Sequence, residues 1–211
     1  MTRDPSLKTQ ATASDAFFPA TSMPDPDWWR ALWPDPDAVV RALGVNPGAR
    51  VLDLACGDGY FTAALARRVG PDRTVGLDLD PTLLAQARLA YADLPCDWRL
   101  GDAMAIGQSC PGPFDVVLMA NTFHGVPDKT GLALAVAAVL APEGRFMIIN
   151  WYPRAREETQ VLGLPRGPKT EWRLSPEATV DTLAPAGFEP HRLVPLPPYH
   201  YGLILKAGST T

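Results

Sequence analysis

One acid inside an apolar run, then two glycines separated by one residue, make the most chemically pointed stretch of this chain: Val51-Leu52-Asp53-Leu54-Ala55-Cys56-Gly57-Asp58-Gly59-Tyr60-Phe61-Thr62. Glycine lets the backbone approach a ligand closely, and a helix start offers unpaired N–H groups to it. The third glycine of a dinucleotide-binding loop would fall where this chain has Thr62, which weakens a nicotinamide reading. A second acid, Asp78, ends the run Gly76-Leu77-Asp78-Leu79, at the interval from the glycines where a carboxylate can accept both hydroxyls of a ribose. A third acid, in Leu100-Gly101-Asp102-Ala103, sets a carboxylate and the Ala103 backbone beside a base. Beyond a fourth apolar run, Asn121-Thr122-Phe123-His124 adds an amide and an imidazole. His124 is either a general base or a loop histidine bonded to backbone.

These residues need elements to place them. Val51 to Ala55 reads as a strand, and Tyr60 to Arg68 as a helix stopped near Gly70. Thr74 to Leu79 is a second strand, and the helix opened by Pro81 aligns Leu83, Ala87, Ala90 and Leu94 on one face. Asp97 to Gly101 is a third strand, Phe114 to Ala120 a fourth covered on both faces, and Arg145 to Trp151 a fifth. A helix from Lys129 to Leu140 and the turn Ala141-Pro142-Glu143-Gly144 stand between the last two. Such alternation predicts an α/β fold, a doubly wound, mostly parallel sheet with right-handed crossovers and a ligand site beyond the strands' C-terminal ends.

Around this core, residues 1–37 form a Pro- and Asp-rich segment that nevertheless carries Phe17, Phe18, Trp28, Trp29 and Trp33, either packed on the core or acting as a lid. Asp35 to Leu43 reads as a short helix stopped by Gly44. Residues 152–173 show no period and read as a long functional loop; Arg154, Arg156, Arg166, Lys169 and Arg173 there either hold a carboxylate or phosphate of a substrate or are simply solvated. A helix follows Ser175, then two strand-like runs, Arg192 to Leu196 and Tyr201 to Lys206, predict an antiparallel C-terminal hairpin at one sheet edge. Tyr199-His200-Tyr201 reads as simple alternation or as one face turned to the site.

The chain's 211 residues, 46% of them hydrophobic, suffice for one substantial core. Nineteen basic against 23 acidic residues leave a net charge of −4 with no basic run, which disfavours a nucleic-acid partner. Cys56, Cys96 and Cys110 lack metal-ligand spacing, and Cys56 reads as a small residue in a tight turn. With no apolar signal or membrane-spanning stretch, the expectation is a reduced, cytoplasmic protein without a membrane partner or metal. Asp115 reads as a local cap.

Taken in order, the four motifs between residues 50 and 151 resemble the Rossmann-like domain of class I S-adenosylmethionine (SAM)-dependent methyltransferases. That resemblance implies SAM as cofactor and a SAM-binding domain over 38–211. It implies Asp53, Ala55, Gly57 and Gly59 at the methionine part, Asp78 at the ribose, Leu79 beside the adenine, and Asp102 with Ala103 at its edge. Tyr60 and Asn121 complete the cofactor-facing set. The expected reaction is in-line methyl transfer to a small molecule, with alignment and water exclusion more important than a strong acid, His124 as the candidate base, and a thiol or other soft nucleophile as the leading acceptor. A noncatalytic SAM-binding sensor and a nucleotide-binding oxidoreductase are the competing readings.

Overall fold

The computed structural model describes residues 18–19 and 21–208; of the N-terminal aromatics named above, Phe17 lies outside them. Two short helices come first, α1 (Pro26–Leu32) and α2 (Pro36–Leu43). Asp35 caps α2 by accepting from the Ala38 N–H, and Gly44 ends it in the left-handed conformation. The alternating core follows: β1 (Val51–Leu54), α3 (Tyr60–Val69), β2 (Thr74–Asp78), α4 (Pro81–Ala90), β3 (Asp97–Leu100), α5 (Ile106–Ser109), β4 (Phe114–Ala120), α6 (Lys129–Ala137) and β5 (Leu140–Trp151). A small ribbon, β6 (Gln160–Val161) and β7 (Leu164–Pro165), precedes α7 (Pro176–Leu183) and the hairpin β8 (Phe188–Leu196) and β9 (His200–Ala207).

The main sheet runs β3-β2-β1-β4-β5-β9-β8, parallel from β3 to β5. Antiparallel β9 pairs with β5 and carries β8 to the edge, so the expected C-terminal hairpin is present. Strand side chains alternate between two cores, as the two-residue period of a strand requires. Leu52, Val117, Phe146 and Ile148 face α6 and α7, whereas Val51, Val116, Leu118 and Ile149 face α1, α2 and α3. The fold is Rossmann-like, with every parallel strand delivering its C-terminal end to one edge. Among the described residues, no helix is long and apolar enough to cross a membrane.

Three local expectations are corrected. Helix α6 stops at Ala137, and Leu140 already pairs with Phe114 in β5, because the Phe114 N–H takes the Val139 carbonyl and draws the chain into the sheet. Helix α4 ends at Ala90 and buries Leu84 and Ala87, leaving Ala90 exposed; its inner face is therefore rotated from the one predicted. Residues 152–173 are not structureless. Arg173 is buried, and its guanidinium donates to the carbonyls of Arg154, Arg166 and Pro168 and to the Thr159 hydroxyl, all at 3.0–3.1 Å. That hub, stacked 4.9 Å from the centre of the Trp151 ring, gathers the ribbon and its flanks around one side chain.

Candidate functional site

A single cavity of about 1510 Å³ lies along the C-terminal edge of the parallel strands. Sheet order arranges its walls: Asp102 and Ala103 beyond β3, Asp78 and Leu79 at β2, Asp53, Ala55 and Gly57 at β1, Asn121 and His124 after β4, and Trp151 on β5. With neighbouring strands about 4.8 Å apart, β3 to β5 spans about 19 Å. All the predicted site residues line this cavity except Gly59. A Cβ at Gly59 would meet Trp98 at 2.5 Å and Ala87 at 3.1 Å, so this position, at φ +83°, requires a glycine for the packing of the turn on β3 and α4.

The turn out of β1 is tied to β2 by its acid. Asp78 accepts from the Gly57 N–H at 2.7 Å through one oxygen and from the Asp80 N–H at 2.9 Å through the other. Each carboxylate oxygen retains acceptor capacity for a ligand. Asp53, buried beneath the turn, accepts from the Thr62 hydroxyl at 2.6 Å. Burial, then the neighbouring carboxylates Asp78 and Asp58, push its pKa from 3.8 up to about 7, with the Thr62 bond opposing. Burial also raises Asp58 and Asp78 above the ordinary carboxylate range. Three acids thus crowd one end of the cavity, and among the described residues the cation bearing on them is Arg30, which relieves Asp58. A cationic ligand would relieve all three.

Of the three non-glycine residues with positive φ among the described residues, two line the cavity, Ala55 (+59°) after β1 and Asn121 (+58°) after β4; the third, Leu162, turns the β6–β7 ribbon. A left-handed L-residue costs roughly 1–2 kcal/mol, so such turns persist where the surroundings impose them. The Asn121 N–H is anchored on the Ile149 carbonyl at 2.8 Å, while its side-chain amide, shielded from solvent, has no hydrogen-bond partner. His124 is buried in the short turn Phe123–Gly125, held there by the Lys129 ammonium, which donates to the His124 and Val126 carbonyls. Tyr60 lines the wall while its hydroxyl donates to the Trp33 carbonyl at 2.6 Å.

The far walls come from both ends of the chain. Residues 18–19 and 21–25, with Trp28 and Trp29, line one side of the cavity: a Cβ at Gly57 would lie 2.9 Å from the Met23 sulfur, and Trp28 and Trp29 form wall and core at once. Trp33 is core alone, against Phe61 and His200. Opposite them, Arg156, Glu157, Arg166, Lys169 and Glu171 close the cavity. Trp28 and the arginines stand in the sequence as one of two alternatives, lid or core and anion grip or solvated charge, whereas motif reasoning passes over Met23, and over Asp58 although it lies between the two glycines. Asp115 caps the Arg50 N–H at 2.7 Å and lies away from the cavity, as do His200 and Tyr201. Cys56 is walled in, and burial lifts its thiol far from ionisation.

Residues 51–144 match the family model described as a methyltransferase domain. The chain is 36% identical over 120 residues to a ubiquinone biosynthesis O-methyltransferase of Xanthomonas campestris pv. campestris, covering 55% of this chain and 49% of the relative. It is 34% identical over 103 residues to the protein of the same name from Xylella fastidiosa, covering 48% and 41%. The chain therefore spans about half the length of the curated relatives it matches. Among solved structures, a SAM-dependent methyltransferase from Aquifex aeolicus superposes with a TM-score of 0.72 at 24% identity, over 87% of this chain and 94% of that one. The trans-methyltransferase CalH, in complex with S-adenosylhomocysteine (SAH), superposes with a TM-score of 0.62 at 21% identity, over 81% and 55%.

Proposed function

We propose, from the match of residues 51–144 to a methyltransferase-domain model, that this chain carries a class I SAM-dependent methyltransferase domain and transfers a methyl group from SAM to a small-molecule acceptor. The observation that carries the reading is the row of uncompensated carboxylates at successive strand ends, opening into a cavity that continues to His124. SAM, when bound, supplies an electrophilic methyl group on a positively charged sulfur. Asp78 accepts the ribose hydroxyls, Asp102 and Ala103 meet the adenine edge beside Leu79, and Ala55, Gly57 and Asp53 hold the methionine end. Tyr60 and Asn121 line the same path, Asn121 with an amide still free to bond. The acidic end favours a cation by simple electrostatics. Residues 18–19 and 21–25, with Trp28 and Trp29, act as the cover that keeps water from the site.

At the β4 end, His124 takes the proton from the acceptor as its oxygen attacks. A hydroxyl acceptor, matching the O-methyltransferase name of the relatives, needs that base; a thiol near its own pKa does not. Calorimetry with SAM, SAH and NAD tests the cofactor assignment. Micromolar-range SAM and SAH binding is expected, and NAD binding without SAM binding overturns the reading. Screening phenols, simple thiols and small carboxylic acids as acceptors, with SAH release as readout, separates an enzyme from a noncatalytic SAM-binding domain.

A further inference from the structure

We propose further, resting on the methyl-transfer reading, that the acceptor carries an oxyanion, a carboxylate or phosphate beside an apolar or aromatic body, gripped by Arg166 and Arg156 beyond His124. Both arginines are half-buried in the cavity wall, and among the described residues neither is paired with a carboxylate. The Arg166 guanidinium lies over the Trp28 ring, 5.2 Å from its centre, and its Nε is shielded from solvent without a hydrogen-bond partner. An unpaired buried donor on a cation is costly unless a ligand completes it. Arg156 is oriented through its Nε, which donates to the Gly167 carbonyl at 3.0 Å. Gly167 is itself fixed against Trp151, whose ring would lie 2.7 Å from any Cβ placed there.

Behind this pair stands Arg173, buried, bonded only to neutral oxygens, and also without a carboxylate partner. Burial and then Arg156 hold its guanidinium below the usual range, and only the exposed Glu157 opposes them. Glu171, the other carboxylate at this end, is exposed and engaged with Lys169 at 3.9 Å. Two guanidiniums, Arg156 and Arg166, therefore face a space whose nearby acids, Glu157 and Glu171, are exposed, with the charge of Arg173 behind them. A guanidinium fork suits bidentate binding of a planar carboxylate or of phosphate oxygens, and Trp28, Trp29 and Phe18 in the same wall supply apolar surface for the body that carries them.

Calorimetric titration of the full chain with phenylacetate, phenyl phosphate and the neutral isostere phenylacetamide, with and without SAH, tests this. One or both anions should bind at least about tenfold more tightly than the amide, the stronger arm telling carboxylate from phosphate. Arg166→Gln should erase most of that preference and Arg166→Lys only part, while thermal melting and SAH affinity stay as in the parent. Arg156→Gln should weaken both anions by a smaller factor. No anion binding, equal binding of amide and anions, or a preference that survives in the Arg156→Gln/Arg166→Gln pair overturns the proposal. Absence of SAH binding with the anion preference intact strikes the cofactor reading instead.

Discussion

At the β1 to β3 end of the cavity, Asp53, Asp58 and Asp78 crowd together with Arg30 bearing on Asp58 alone among the described residues; beyond β5, Arg156, Arg166 and Arg173 crowd together beside solvent-exposed acids. The first group comes from contiguous motifs at strand ends and is held by short-range bonds such as Gly57 N–H to Asp78. The second is assembled from a loop and from a helix more than a hundred residues earlier in the chain, and meets only where Arg166 stacks on Trp28. One cavity thus has two poles, one built locally and suited to positive charge, the other built by tertiary packing and suited to negative charge.

The strongest test of this division lies at its midpoint. His124→Asn should lower turnover by roughly 10²–10⁴-fold and leave SAH affinity nearly unchanged, with hydroxyl acceptors hurt most. Activity retained in full across pH 6–9 would remove His124 from the mechanism. Next comes the hub of the basic pole. Arg173→Met keeps the apolar stem but strands three carbonyls and a hydroxyl, and should cost on the order of 3 kcal/mol in chemical denaturation. If the poles are independent, the surviving fold should still bind SAH as the parent does, while acceptor KM rises; a matching loss of SAH affinity would erase the division.

Asp78→Ala removes acceptors for the ribose and for the Gly57 N–H together, so SAH affinity should fall at least about tenfold while the chain still folds, with about 1–3 kcal/mol less stability for the stranded N–H. Unchanged affinity would mean that the ribose is held elsewhere. A pH-dependent effect concerns Asp53, whose pKa is raised from 3.8 to about 7. Between those values the folded chain keeps a proton that the unfolded chain has lost, so the stability of the unliganded chain should fall as pH rises through that window and level off above it. Cofactor binding brings positive charge and favours the ionised acid, so SAM affinity should rise over the same range, by up to about tenfold per pH unit below 7. Asp53→Asn, still able to accept from Thr62, should flatten both curves.

How much of this was readable before folding follows the same division. Strands β1 to β5, the acids at their ends and the C-terminal hairpin are visible in the sequence because each rests on a local rule: an apolar run, a glycine turn, alternation. Leu140 was misplaced in a helix because its apolar spacing fits both periods, and pairing with Phe114 decided the matter. Gly59 carries the right residue type at the right spacing, yet its reason lies across the turn in Trp98, which no motif connects to it. Arg173 was one of five cations in a patternless stretch, and nothing local says which of them turns inward to bind the carbonyls of Arg154, Pro168 and Arg166.

The placement of the indoles gives the protein an optical asymmetry. Trp28 stacks on Arg166 and Trp151 stacks on Arg173, whereas at the acidic end Trp98 packs behind the glycine turn, against Gly59 and Gly76, and does not line the cavity. Indole emission responds to charge and water beside the ring. Filling the basic pole should therefore shift or quench intrinsic fluorescence more than filling the acidic one, and stopped-flow traces on the unlabelled chain should separate arrival of the acceptor from arrival of the cofactor.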